Sequence, residues 1–177
     1  MNETTAEALI LAVNALGAGV LLFVASVVQK MMDDMDPPGF KRFVNALDRA
    51  AMTSAFLVTI ATLPILAAVA YFVAYGFGHW WFTAGFVVWM IGSTITKVSN
   101  LPVYKWVADP ANNDPEELKK RRRILGLANN LRAWITLGSV ILMACRFGVR
   151  EVAVAVAASL LVTPPLLWLA RRYIPGA

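Results

Sequence analysis

Residues 50–75 read AAMTSAFLVTIATLPILAAVAYFVAY, with no charged side chain from end to end and one proline. About 20 consecutive apolar residues let a helix cross the hydrocarbon core of a bilayer, and an amphipathic soluble helix would interrupt such a run with a polar face. The segment therefore predicts a membrane span and sets the reading of its neighbours. Similar stretches cover about 8–28, 81–98, 131–147 and 152–170. With 59% apolar and 15% charged residues over 177 positions, the chain has too little polar surface to enclose one soluble core. The expectation is an all-α membrane helical bundle, a single integral domain over 1–177 with five spans.

Start signals lengthen two of these segments. Asp114-Pro115-Glu116-Glu117 supplies an N-cap, a proline at the first helical position and two acids in the first turn, so the fourth span is predicted to end a long helix that begins outside the membrane. Asp36-Pro37-Pro38 is a second such signal. Phe40, Phe43, Val44 and Leu47 follow at the spacing of one helical face, which predicts an amphipathic lead-in that continues into span two. Pro64 and the Pro164-Pro165 pair should kink spans two and five. No repeat, low-complexity tract or soluble domain interrupts the pattern.

Charge gives the orientation. Of the 16 Lys and Arg residues, all but Arg146 and Arg150 fall on one side of the five spans, in the first and third connections, beside them, or in the C-terminal tail. The positive-inside rule then predicts an N-terminus outside and a C-terminus in the cytoplasm of a plasma (inner) membrane. A net charge of +5 placed this way suits anionic lipid headgroups as partners. No nucleic acid is expected, because the dense run Lys119-Lys120-Arg121-Arg122-Arg123 has no interleaved aromatics and leads straight into an apolar segment. Met1–Glu7 carries two acids and no basic run, so the first span is expected to stay as a span. His79-Trp80-Trp81 should mark the outer interface, and Tyr104, Trp106, Trp168 and Tyr173 the inner one.

The residues that could carry chemistry cluster at the cytoplasmic ends of spans two to four. Asn45 and Asp48 with Arg49, Lys97 with Asn100, and Asn129 with Arg132 each have the i, i+3 spacing that shares a helical face. If the faces converge they form a pocket with one carboxylate, cations and amides, suited to an anionic or enolisable apolar small molecule. The alternative is that Arg49, Lys97 and Arg132 snorkel to headgroups while the asparagines cap helices. Asn14 and Gln29 read as interhelical hydrogen-bonding groups, and Ala15 with Gly19 as a small-residue spacing that permits close helix contact. One histidine and one cysteine, Cys145, are too few for a metal or haem site or a disulfide, and neither a metal nor another cofactor is expected. No Gly-x-Ser-x-Gly turn points to serine chemistry.

At these same residues the chain resembles a family of small membrane proteins of largely unknown function that includes the anthrone oxygenases. The resemblance covers roughly 15–147. It rests on Gly17 to Phe23, Phe43-Val44-Asn45-Ala46-Leu47-Asp48-Arg49, Asn100-Leu101-Pro102 and Asn129-Asn130-Leu131-Arg132. Where the family shows a second asparagine, a tryptophan and a histidine, this chain has Tyr104, Ala128 and Asn130. The resemblance implies a four-helix up-down core, to which the fifth span is an addition. It also implies cofactor-independent oxygenation of an apolar aromatic, anthrone-like substrate, with Asp48 as base, Arg49, Lys97 or Arg132 stabilising the anion, and Asn45, Asn100 and Asn129 lining the site. A non-catalytic bundle that assembles with or scaffolds other membrane proteins is the competing reading. A carrier is a third, less favoured because inverted repeats are absent.

The charge asymmetry makes a direct prediction. A reporter fused after Ala177 should read cytoplasmic, and cysteines placed at Trp80-Trp81 should label from the opposite side; labelling of both from one side would overturn the five-span topology.

Overall fold

The computed structural model describes residues 2–173, apart from the side chains of Ala170 and Tyr173. Helix α1 (Glu3–Phe23) starts five residues before the expected span because Asn2 Oδ1 accepts from the Thr5 N–H at 2.8 Å. A π-turn (Val24–Val28) and the short α2 (Gln29–Asp33) extend it without a break. Asp36 caps α3 (Pro37–Thr53) by accepting from Gly39 N–H at 3.0 Å, and Phe40 and Val44 form its buried face. The lead-in does not run on into span two. Ser54 turns extended, with φ −77° and ψ 110°, and its hydroxyl caps α4 (Ala55–Tyr75) by accepting from Leu57 N–H. Serine competes for backbone hydrogen bonds in this way, so the amphipathic and apolar helices are separate elements.

Helix α4 passes through Pro64 and ends at Gly76, whose φ of +75° is the only left-handed value among the described residues. Helix α5 (Trp80–Ile95), a second π-turn (Thr96–Asn100) and α6 (Leu101–Ala108) form one continuous helix, so Asn100-Leu101-Pro102 lies inside a helix and does not end it. Helix α7 (Pro115–Ala144) is the predicted long one, capped by Asp114 accepting from Glu116 N–H. Helix α8 (Val149–Tyr173) contains Pro164 and Pro165.

The result is an all-α bundle in which five helices, Glu3–Asp33, Ala55–Tyr75, Trp80–Ala108, Pro115–Ala144 and Val149–Leu169, are long and apolar enough to cross a membrane. Helix α7 is central. It packs along α5 on one flank and α1 on the other, and α4 lies against α1. Side chains at the basic end tie the first and third connections together: Lys41 Nζ donates to Asp109 O and Asn112 O at 2.7 Å each, and Arg122 donates to Met32 O and Met35 O at the end of α2. A core of Val28, Met32, Phe40, Val44, Val103 and Leu125 fills this end, and Ile10, Tyr71, Phe82 and Met143 fill the other. No residue in the apolar window of α8 is buried, and the helix packs chiefly against α7. Trp80, Trp81 and Trp168 are exposed, and Arg172 lies over the Trp168 ring. Tyr173, expected at the same interface, lies outside the described side chains.

Close helix approach occurs at glycines other than the expected pair. Ala15 and Gly19 are exposed, and a methyl added at Gly19 would meet nothing within 4 Å. At Gly85 the added carbon would lie 2.5 Å from Met143 Cγ and 2.8 Å from the backbone of α7. Gly85→Ala should therefore cost about 1–3 kcal/mol by overpacking, read as a lowered unfolding midpoint in detergent, while Gly19→Ala, in open space within α1, should not lower it.

Candidate functional site

Polar groups inside a membrane bundle are costly unless they find partners, and two clusters of them form, one at each end. At the basic end the second π-turn decides what faces inward. A π-turn is wider than an α-turn, so residues three apart diverge more than they would on an α-helix. Lys97 is exposed while Asn100 is wholly buried. Asn100 Nδ2 donates to Asn129 Oδ1 at 2.9 Å, joining α5 to α7. One turn further along α7, Arg132 Nη1 donates to the Thr96 hydroxyl at 2.8 Å.

Tyr104, one turn beyond Asn100, lies within Coulombic reach of both Arg132 and Asp48. Asp48 is half-buried on α3, and Asn45 Nδ2 donates to Val107 O at 3.3 Å. Arg49 stays exposed, as does Lys97. Of the seven residues singled out by spacing, the structure thus gathers Asn100, Asn129 and Arg132, sets Asp48 near Tyr104 and Asn45 against the end of α6, and leaves Arg49 and Lys97 exposed. Thr96 and Tyr104 complete the group and were not among the seven. Tyr104 had an accessible signal, being four residues from Asn100. Thr96 had none, because its orientation depends on the π-turn.

Four side-chain atoms at this level are buried without a hydrogen-bond partner: Asn100 Oδ1, Asn129 Nδ2, Arg132 Nε and, from α2, Gln29 Oε1. Gln29 does not bond across helices; its Nε2 donates to Asp33 Oδ1 on its own helix at 2.9 Å. Asn45 also lines a surface crevice of about 300 Å³ with Lys41, Arg42, Pro110 and Asn113.

The opposite end holds a network that spacing did not reveal. Glu7 is fully buried, accepts from the Tyr71 hydroxyl at 2.8 Å, and is ion-paired to Arg146 Nε at 3.2 Å. Glu3, one turn away on α1, reaches Tyr71 and His79, and His79 Nε2 is 3.2 Å from an Arg146 nitrogen. Placing the first span at residue 8 left Glu7 outside it; the Asn2 cap brings it in. Arg146, in the turn just past α7, had a signal in its seven-residue steps from Arg132 and Ser139. Glu3, Glu7 and His79 offer possible metal-ligand atoms within 4.8 Å of one another. The Arg146 guanidinium already sits against two of them and supplies the positive charge that the buried carboxylate needs. Asn14, deeper in the bundle, donates to Met143 Sδ at 3.3 Å, the interhelical role expected of it.

Compared with protein-family models, with curated proteins and with solved structures, the chain gives no match. Its chemistry must be argued from these two clusters.

Breaking the buried pair tests the second cluster. Arg146→Ala should destabilise the protein by about 3–5 kcal/mol because it strands the Glu7 carboxylate, whereas Glu3→Gln, at a half-exposed site, should cost less than about 1 kcal/mol. Adding Glu7→Gln to Arg146→Ala should cost less than the sum of the two single changes in the same unfolding assay.

Proposed function

We propose that this multi-span protein binds an apolar small molecule at the basic end of its bundle and, as the resemblance to anthrone oxygenases implies, oxygenates it without a cofactor. The observation that carries the reading is Arg132: its guanidinium lies within the bundle, held by Thr96, with Nε left unpartnered. A cation serving lipid headgroups would reach outward, as Arg49 and Lys97 do.

The chemistry follows from the groups present. Half-buried Asp48 takes a proton from the acidic CH₂ of an anthrone, and Arg132 holds the enolate oxygen that develops. The electron-rich carbanion adds oxygen; loss of water then leaves a carbonyl where the CH₂ stood, so one oxygen atom enters the product and the other leaves as water. Asn100 and Asn129 orient the substrate, and the apolar core beneath excludes bulk water. The basic end would face the cytoplasm and its anionic headgroups. The second reading, a bundle that assembles with other membrane proteins, is favoured by one observation, the absence of buried residues in the apolar window of α8.

Oxygen uptake with 1,8-dihydroxyanthrone tests the proposal. Asp48→Asn and Arg132→Ala should each slow uptake by about 100-fold or more, while Arg49→Ala stays within about twofold of the parent. If the first two match the parent in uptake, substrate binding and thermal stability, the cluster faces headgroups and the enzyme reading fails.

A further inference from the structure

The end of the bundle opposite the basic residues carries a charge that its own ion pair does not balance. Glu3 and Glu7 lie one turn apart on α1, His79 directly precedes α5, and Arg146 lies in the turn after α7. Arg146 is paired to the buried Glu7 carboxylate. The ion-pair partner of Glu3, among the described residues, is His79 alone.

The donors at this end run out before the contacts do. An arginine stays protonated, so at the 3.2 Å contact between Arg146 Nη2 and His79 Nε2 the guanidinium donates and the ring nitrogen accepts. The Tyr71 hydroxyl has one proton, which goes to Glu7 Oε1 at 2.8 Å in preference to Glu3 Oε1 at 3.2 Å. Glu3 Oε1 therefore faces His79 Nε2 at 3.2 Å, lone pair against lone pair. Glu7 Oε2 is a further acceptor: the residue is fully buried, and this oxygen, although 3.2 Å from Arg146 Nε, receives no hydrogen bond. Buried acceptors left this way are costly and few in native proteins. With His79 neutral, two carboxylates stand against one guanidinium, and the cluster keeps a net negative charge.

We propose that Glu3, Glu7 and His79 bind a divalent metal ion of the Zn²⁺ class, at a site separate from the basic end and independent of the oxygenase reading. Their ligand atoms lie within 4.8 Å of one another. Zn²⁺ holds oxygen and imidazole ligands at about 2.0–2.2 Å, which sets them about 3.4 Å apart in a tetrahedral site, so closure needs only small side-chain shifts. A single histidine suffices because the carboxylates supply the other two ligands, and three protein ligands leave zinc a fourth position for water. The imidazole nitrogen favours Zn²⁺ over Mg²⁺ or Ca²⁺, which take oxygen ligands. The His79 and Glu3 side chains are 31% and 35% exposed, which gives the ion a path from the aqueous side. Arg146 gives up the His79 lone pair to the ion and stays on Glu7, and the filled site joins α1 to the start of α5.

Calorimetric titration with Zn²⁺ of the full, untagged chain in phosphatidylcholine nanodiscs, after chelator treatment, tests it. The parent should take up about one Zn²⁺ per chain. His79→Asn and Glu3→Gln, both at partly exposed positions, should each weaken uptake by at least about tenfold, while Arg49→Ala, at the other end, matches the parent. Zn²⁺ should also raise the unfolding midpoint of the parent and leave that of His79→Asn unmoved, with the two midpoints close together when no metal is added. Absence of uptake by the parent would overturn the inference and mean that a proton holds Glu3 and His79 together. Uptake equally strong in both variants would also overturn it, since the ion would then be an adventitious one. Neither outcome bears on the basic end.

Discussion

A polar side chain inside a lipid-facing bundle must be paired within the protein, and α7 carries such side chains along its inward face from end to end. Arg122, Asn129, Arg132, Thr136 and Ser139 follow one another at helical steps of three, four and seven, and Arg146 lies in the turn just beyond the helix. The other helices are placed by what this seam requires. The end of α2 offers carbonyls to Arg122, the second π-turn offers Asn100 and Thr96, and α1 brings Glu7 to Arg146. Between these points Gly85 and Gly92 let α5 approach closely enough for side-chain contact to take over.

The two ends meet the requirement differently. Around Glu7 the buried carboxylate is ion-paired to Arg146 inside the cluster, and Tyr71, His79 and Glu3 tie the ends of α1, α4, α5 and α7 together. Around Arg132 the pairing is incomplete. An ion pair holds the buried charge at one end, while at the other the Arg132 guanidinium has no carboxylate bonded to it. In a water-excluded setting each additional bond made at the open end counts for more than it would at the surface.

The five spans were legible because 20 apolar residues have few other uses, and the starts at Asp36 and Asp114 because a cap followed by proline is local chemistry. What could not be read depended on competition between local and distant contacts. Ser54 sits in an apolar stretch whose composition says helix, and only its capping of Leu57 N–H shows that the chain turns there. The π-turns leave no trace in composition, yet they separate Lys97 from Asn100 and defeat the i, i+3 rule at that pair. The asparagines and Arg132 were visible as polar residues in an apolar context. Glu7 was hidden by a span boundary set five residues late, and with it the ion pair to Arg146, 139 positions away.

The polar seam of α7 also bears on how the protein is made. With Trp80–Ala108, α7 is among the two least apolar of the five candidate spans, yet it has the largest share of its span buried against protein. An arginine near the middle of a helix costs about 2.5–3.5 kcal/mol to move from the translocon into lipid. Helices α1, α4 and α5 and the second π-turn leave the ribosome before α7 and carry Glu7, Thr96 and Asn100 with them. Insertion of α7 is therefore best viewed as partitioning into an already assembled protein surface, so that the order of synthesis is itself part of the folding mechanism.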